Sequence, residues 1–187
     1  MFEIVVICTG NRARSPLTEA YLAHLTEGLP VSVSSAGVLD LGAVGAMPEV
    51  VEIGSGWGLD LGGHRARCLS SVGLAWADLV LGFTAEHVAA AVVDGGADVA
   101  SMFRLGELVE LVESGPVPAA SSVEERARAM VAGAHSRRSD VSVPSPEFEI
   151  GDPIGQNQAH YESLGQTIRG LCERLVGALF DVRIPSP

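Results

Sequence analysis

The sequence predicts an α/β architecture, a parallel sheet with helices packed against it. Three observations carry that expectation. Short apolar runs of strand length alternate with longer segments of helical period, and such alternation builds parallel sheets joined by right-handed crossovers. The runs Ile4-Val5-Val6-Ile7 and Leu79-Val80-Leu81 read as core strands. The chain has 187 residues, 47% apolar and only 19% charged, which suits one domain with a full-sized core and argues against disorder.

A strand over 2–8 opens the order. A helix over about 15–28 follows, with Leu17, Tyr21, Leu22, His24 and Leu25 on its buried side. Pro16 falls in the first turn, where its missing N–H costs nothing. Val31-Ser32-Val33-Ser34 alternates as a half-buried strand, and Pro48 to Gly56 is a helix opened by Pro and ended by glycines. A strand spans Asp78 to Phe83, Thr84 caps a helix over 85–93, and a fourth strand covers 98–103. Ser114-Gly115-Pro116-Val117-Pro118 breaks the chain. Ser122-Val123-Glu124-Glu125 then starts a helix with a capping-box-like signal, running toward Arg137-Arg138, whose charge suits its C-terminal end. Residues 142–146 are Pro/Ser-rich and extended, and a last helix closes the fold.

Net charge is −11, and every basic residue is Arg. An acidic surface opposes nucleic-acid and anionic-membrane binding, so neither is an expected partner. The N-terminus carries Glu3 and no basic n-region, and no apolar run is long enough to span a bilayer. Three cysteines, an odd number, make no disulfide framework, and a reducing cytoplasm is the expected location. The five histidines show no ligand-like spacing, so neither a metal nor another cofactor is expected.

The chemistry is concentrated in Cys8-Thr9-Gly10-Asn11-Arg12-Ala13-Arg14-Ser15-Pro16, which leaves the first strand and enters the first helix. Here a thiol, a Gly/Asn turn and a helix N-terminus form an oxyanion cradle. Backbone N–H groups of residues 9–14 and the helix dipole favour negative charge, and a guanidinium grips two oxygens at once. The same field favours the thiolate, a nucleophile at neutral pH. With 3 Cys and 12 Arg in the chain, chance supplies only about 0.2 Cys-x5-Arg matches. The spacing points to phosphate chemistry through cysteine, against the plainer reading of a buried, inert thiol ending a core strand.

This loop resembles the active-site loop of the low-molecular-weight protein tyrosine phosphatase family, Cys-x-Gly-Asn-x-x-Arg-Ser-Pro. Cys8, Gly10, Asn11, Arg14, Ser15 and Pro16 match. Ser35-Ala36-Gly37, His64-Arg65-Ala66-Arg67, Ala77-Asp78-Leu79-Val80-Leu81 and Asp152-Pro153 follow in the family's order. The resemblance implies one domain over 1–187, a three-layer fold with a four-stranded parallel sheet in the order 2-1-3-4, and an atypical helical and linker insertion at about 114–150. That insertion reads first as a solvated surface helix and linker. A flap bordering the site, or a partner patch at Arg137-Arg138, are the other readings.

The implied activity is hydrolysis of a phosphate monoester, on a phosphorylated protein carrying phosphotyrosine or on a small phosphate ester, through a cysteinyl-phosphate. Cys8 is the expected nucleophile and Arg14 the phosphate clamp, completed by Thr9, Gly10, Asn11, Arg12 and Ala13. Asp152 is the expected general acid, with Glu147 and Glu149 as alternatives. Ser15 either donates to the sulfur or caps the helix. Asn11 suits a left-handed backbone, and the resemblance gives it Ser35 and His64 as supports. For His64 a loop imidazole bonded to backbone is the competing reading.

Four positions depart from phosphotyrosine-specific members. Arg12 replaces an apolar residue and suggests a second negative charge on the substrate, unless it is a solvated loop residue. Ala13 replaces a second cysteine. Ile154-Gly155 replaces the Tyr after Asp-Pro, and Val38 to Val44 lacks an aromatic residue, leaving Tyr161 or Phe83 as possible walls. Arsenate reduction with an external thiol is the alternative enzyme, because the other cysteines, Cys68 and Cys172, are far apart in sequence. A non-catalytic phosphate-binding regulatory module is the alternative outside catalysis.

Overall fold

β1 (Phe2–Cys8) lies inside the sheet because it is almost wholly apolar, and six of its seven residues are buried. The computed structural model describes residues 1–138 and 148–183. β1 pairs in parallel with β2 (Val31–Gly37) on one side and β3 (Leu79–Gly82) on the other, and β4 (Met102–Arg104) extends β3. The order is β2-β1-β3-β4, as the family resemblance implied. All strands run the same way, so the loop after Cys8 emerges at the carboxyl end of the sheet, where such sheets bind ligands.

Side-chain alternation along β1 divides the core in two. Phe2, Ile4, Val6 and Cys8 face a cluster with α1 (Arg14–Leu25), α5 (Leu105–Glu113), α6 (Val123–Arg138) and α7 (Gln158–Phe180). Val5 and Ile7 face a smaller one with Leu69 of α3 (Leu69–Val72) and Ala91 of α4 (Ala85–Val93). The result is three layers. α2 (Pro48–Gly56) has the expected bounds and packs on α7, with Ile53 set close against Gly165.

Several elements differ from the sequence reading. The first helix stops at Leu25, and Gly28 takes a left-handed turn at φ 82°. His24 is exposed rather than buried, stacking on Tyr21 at 6.3 Å. The half-buried strand extends to Gly37, and the third strand is confined to 79–82. Residues 99–101 form a 3-10 turn whose Ala100 N–H is held by the Asp98 side chain, so the fourth strand is only Met102–Arg104. α5 has no counterpart in that reading, although Leu105, Leu108, Val109 and Val112 fall on one helical face.

The inserted helix α6 buries one face in the core rather than standing solvated, and the stretch that would lead a flap into Asp152 lies outside the described residues. Ala127, Met130, Val131 and Ala134 are buried. Arg128 pairs with Asp78 at 2.8 Å and donates to the Met1 carbonyl. Arg138 pairs with Glu107, donates to the Val99 and Met102 carbonyls, and lies 4.1 Å over the Phe103 ring. Met1, Asp78, Val99 and Met102 sit at the N-terminal ends of β1, β3 and β4, the end of the sheet opposite Cys8, whereas Glu107 lies in the first turn of α5. Arg137 donates to the Leu111 carbonyl at 2.6 Å, so the Arg137-Arg138 pair is engaged in the fold rather than presented to a partner. The Pro/Ser stretch 142–146 and Glu147 lie outside the described residues.

Candidate active site

β1 ends at Cys8 and α1 begins at Arg14, so the intervening five residues must turn tightly. Asn11 makes the turn, with φ 51° in the left-handed region that Asn tolerates. Its backbone N–H donates to Cys8 Sγ at 3.2 Å. Its side-chain amide donates to Ser15 Oγ at 2.9 Å and Ser35 Oγ at 2.7 Å, while its Oδ1 accepts from the Arg67 N–H at 2.9 Å. The Ser35 hydroxyl in turn donates a hydrogen bond to Glu19 on α1. Gly37, beside Cys8 in the sheet, must be glycine: a Cβ there would lie 2.8 Å from the Asn11 nitrogen.

Ser15 Oγ donates to Cys8 Sγ at 3.0 Å, and the helix cap is Ala13, so Ser15 is not the cap. His64 Nε2 lies 2.7 Å from the Asn11 carbonyl. It is bonded to backbone and is an Asn11 support at once. Glu19 and Arg67 were missed in the sequence reading. Arg67 stands in the quoted His64-to-Arg67 run, but its backbone contribution leaves no residue-type signal.

Arg14 is buried to 2% exposure beneath the loop, with Phe83 packed against its guanidinium at 5.7 Å. Nη1 donates to the Ile150 carbonyl at 3.0 Å. Nη2 donates to Thr9 Oγ1 at 3.0 Å and to Asp152 Oδ2 at 2.6 Å. Asp152 Oδ1 accepts from the Ile154 N–H, which orients the carboxyl over the loop. Glu149 instead accepts from the Ala85 N–H and does not face Arg14. A cleft of about 370 Å³ opens here, lined by Thr9, Arg14, Val38, Thr84, Glu86, His87 and Asp152. Phe83 and Tyr161 are fully buried and cannot wall it, correcting that expectation. The exposed apolar side chains of the flanking 38–44 and 152–155 segments are the aliphatic Leu39, Leu41, Val44 and Ile154.

His87 is the site residue the sequence reading did not single out. It occupies the third position of α4, directly after β3, in the capping position after Thr84. A titratable residue in the first turn after a strand's carboxyl end was the available signal. Burial, and next the Arg14 charge, push its pKa down to about 4 from 6.5. The unfolded chain therefore binds more protons between those values. Stability contributed through His87 is complete above pH 6.5 and falls by up to about 3 kcal/mol as pH drops toward 4. Urea unfolding of His87→Gln across that window should show a correspondingly flatter acid limb.

All three cysteines are free. Cys172 is buried in α7, and burial pushes its thiol far up. Cys68 bridges to Gly37, which pairs with Cys8, so two strand spacings, about 10 Å, separate it from the active-site sulfur. That exceeds the reach of a disulfide without backbone movement. Among the described residues, no group of three or more His, Cys, Asp or Glu could hold a metal ion.

Comparison with known proteins gives consistent results. A "probable low molecular weight protein-tyrosine-phosphatase EpsP" of Ralstonia nicotianae is 34% identical over 128 residues, covering 68% of this chain and 87% of that protein. The protein-arginine-phosphatase of Bacillus subtilis is 38% identical over 87 residues, 46% of this chain and 57% of that one. The solution structure of a low molecular weight protein tyrosine phosphatase from Bacillus subtilis superposes with TM-score 0.68 at 25% identity, covering 95% of this chain and 97% of that one. Residues 3–119 match the model of one family, and on that match the chain belongs to the low molecular weight phosphotyrosine protein phosphatases.

Proposed function

We propose that this protein hydrolyses phosphate monoesters through a cysteinyl-phosphate intermediate. The observation that carries the reading is the sulfur's environment: Ser15 Oγ and the Asn11 N–H both donate to Cys8 Sγ, at 3.0 and 3.2 Å. Two donors to one sulfur stabilise the thiolate and ease its later departure.

In the first step Cys8 Sγ attacks phosphorus, the bond from phosphorus to the ester oxygen breaks, and Asp152 gives that oxygen its proton. In the second, water attacks phosphorus, the S–P bond breaks, and the Asp152 carboxylate takes the water's proton. Arg14 grips two phosphoryl oxygens, with the loop amides and the N-terminus of α1 completing the cradle. An incoming phosphate competes with Asp152 for the Arg14 fork. Binding thus releases the carboxyl oxygen that must carry the proton.

Phosphotyrosine on a protein is the substrate we favour over phosphoarginine, the class named for one relative. Arg12 supports this: its Nε donates to the Gly45 carbonyl, and among the described residues it has no carboxylate partner. A cation beside the cradle repels a guanidinium leaving group and attracts an acidic residue flanking the phosphorylated one. The aliphatic rim of Leu39, Leu41 and Ile154 supplies apolar contact to a phenyl ring in place of aromatic walls.

The test compares the parent and Asp152→Ala on a phosphotyrosine peptide, a phosphoarginine peptide and an aryl phosphate with a strongly activated leaving group. The parent should prefer phosphotyrosine to phosphoarginine by at least about tenfold in kcat/KM. Asp152→Ala should lose roughly 10²–10³-fold in kcat on phosphotyrosine and less than about tenfold on the activated ester. Equal losses on both would remove Asp152 as the acid, and a phosphoarginine preference would overturn the substrate class.

A further inference from the structure

The Thr9 hydroxyl has a hydrogen-bonding count that does not close within the protein. His87 Nδ1 accepts from the backbone N–H groups of Phe83 and Thr84, each at 3.2 Å. That nitrogen therefore carries no proton, and the neutral imidazole keeps its proton on Nε2. Nε2 lies 3.1 Å from Thr9 Oγ1 and must be the donor there. Arg14 Nη2 is a second donor to the same oxygen at 3.0 Å. A hydroxyl oxygen accepts two hydrogen bonds, so both lone pairs are occupied. Its one proton has no acceptor among the described residues, and Thr9 lines the same cleft as Arg14, His87 and Asp152.

We propose that the Thr9 hydroxyl donates a hydrogen bond to an oxygen of the bound phosphoryl group, and that His87 is the positioning residue that forces it to do so. A hydroxyl usually chooses between giving and accepting. Here two fixed donors leave only giving, and an anion in the cleft is the acceptor that suits it. His87 itself is 3% exposed and held by two amides and by two hydroxyls, Thr9 at Nε2 and Thr84 Oγ1 at 3.3 Å from Nδ1. It acts through Thr9 rather than on the substrate.

The inference rests on the phosphatase reading above, and its test separates the two. Kinetics on an activated aryl phosphate, with inorganic phosphate as competitive inhibitor, should show Thr9→Val about tenfold lower in kcat/KM and about tenfold weaker in phosphate inhibition. Thr9→Ser, which keeps the hydroxyl, should stay within about twofold of the parent. His87→Ala should reproduce most of the Thr9→Val loss, yet add less than about twofold in the Thr9→Val background, because the two act as one unit. His87→Gln, whose amide N–H reaches the Nε2 position, should recover most of the loss. Should His87→Ala not fold, the Thr9 pair and His87→Gln still decide.

Parent-like Thr9→Val, or losses that multiply in the double variant, would overturn the proposal. So would a folded His87→Gln that recovers nothing. If the parent proves inert toward the ester, the phosphatase reading fails. Calorimetric phosphate binding to parent and Thr9→Val then decides the Thr9 donor alone.

Discussion

Cys8→Ser should lower kcat on any phosphate ester by at least about 10⁴-fold, the scale on which removal of a catalytic nucleophile acts. The substitution exchanges sulfur for oxygen at a buried position. It leaves the Ser15 and Asn11 donors in place, so the fold and the anion cradle persist. A serine hydroxyl is essentially un-ionised at neutral pH, and two hydrogen bonds do not close that gap. Rapid-quench kinetics with labelled ester should lose the rapid phosphoenzyme burst, while phosphate still raises the melting temperature. A variant with substantial turnover would show that the nucleophile lies elsewhere.

Arg14→Lys should cost roughly 10³-fold in kcat/KM despite conserving charge. The guanidinium reaches three groups in two directions, the Ile150 carbonyl through Nη1 and both Thr9 and Asp152 through Nη2. A single ammonium cannot make that fork, nor hold two phosphoryl oxygens side by side. Burial at 2% also means that lost contacts are not replaced by water. KM for the ester and the inhibition constant of inorganic phosphate should both rise. A lysine variant that keeps phosphate affinity would show that the loop amides alone bind the anion.

Much of this site was readable before any coordinates, because its residues fall in one contiguous run whose spacing serves a single chemistry. Asp152 is different. It is 138 positions from Arg14 in sequence, and Asp-Pro alone marks only a turn, so its assignment came from order along the chain. His87 escaped because its imidazole also does a structural task at the start of α4. Helix α6 was misjudged for a related reason. Its buried stripe, Ala127, Met130, Val131 and Ala134, is half alanine and so reads as weakly hydrophobic, and its charged residues look solvated while pairing with Asp78 before β3 and Glu107 of α5. Tyr161 and Phe83 were offered as walls because residue type alone does not say which face of an element is covered.

Asn11 is the hub of the loop, and its backbone N–H, its carbonyl and both ends of its side-chain amide are all engaged. The anion therefore meets a loop with few alternative conformations left to lose, so little configurational entropy opposes capture. The loop is accordingly a preorganised receptor for an oxyanion, with the Asp152 carboxyl held against it through Arg14.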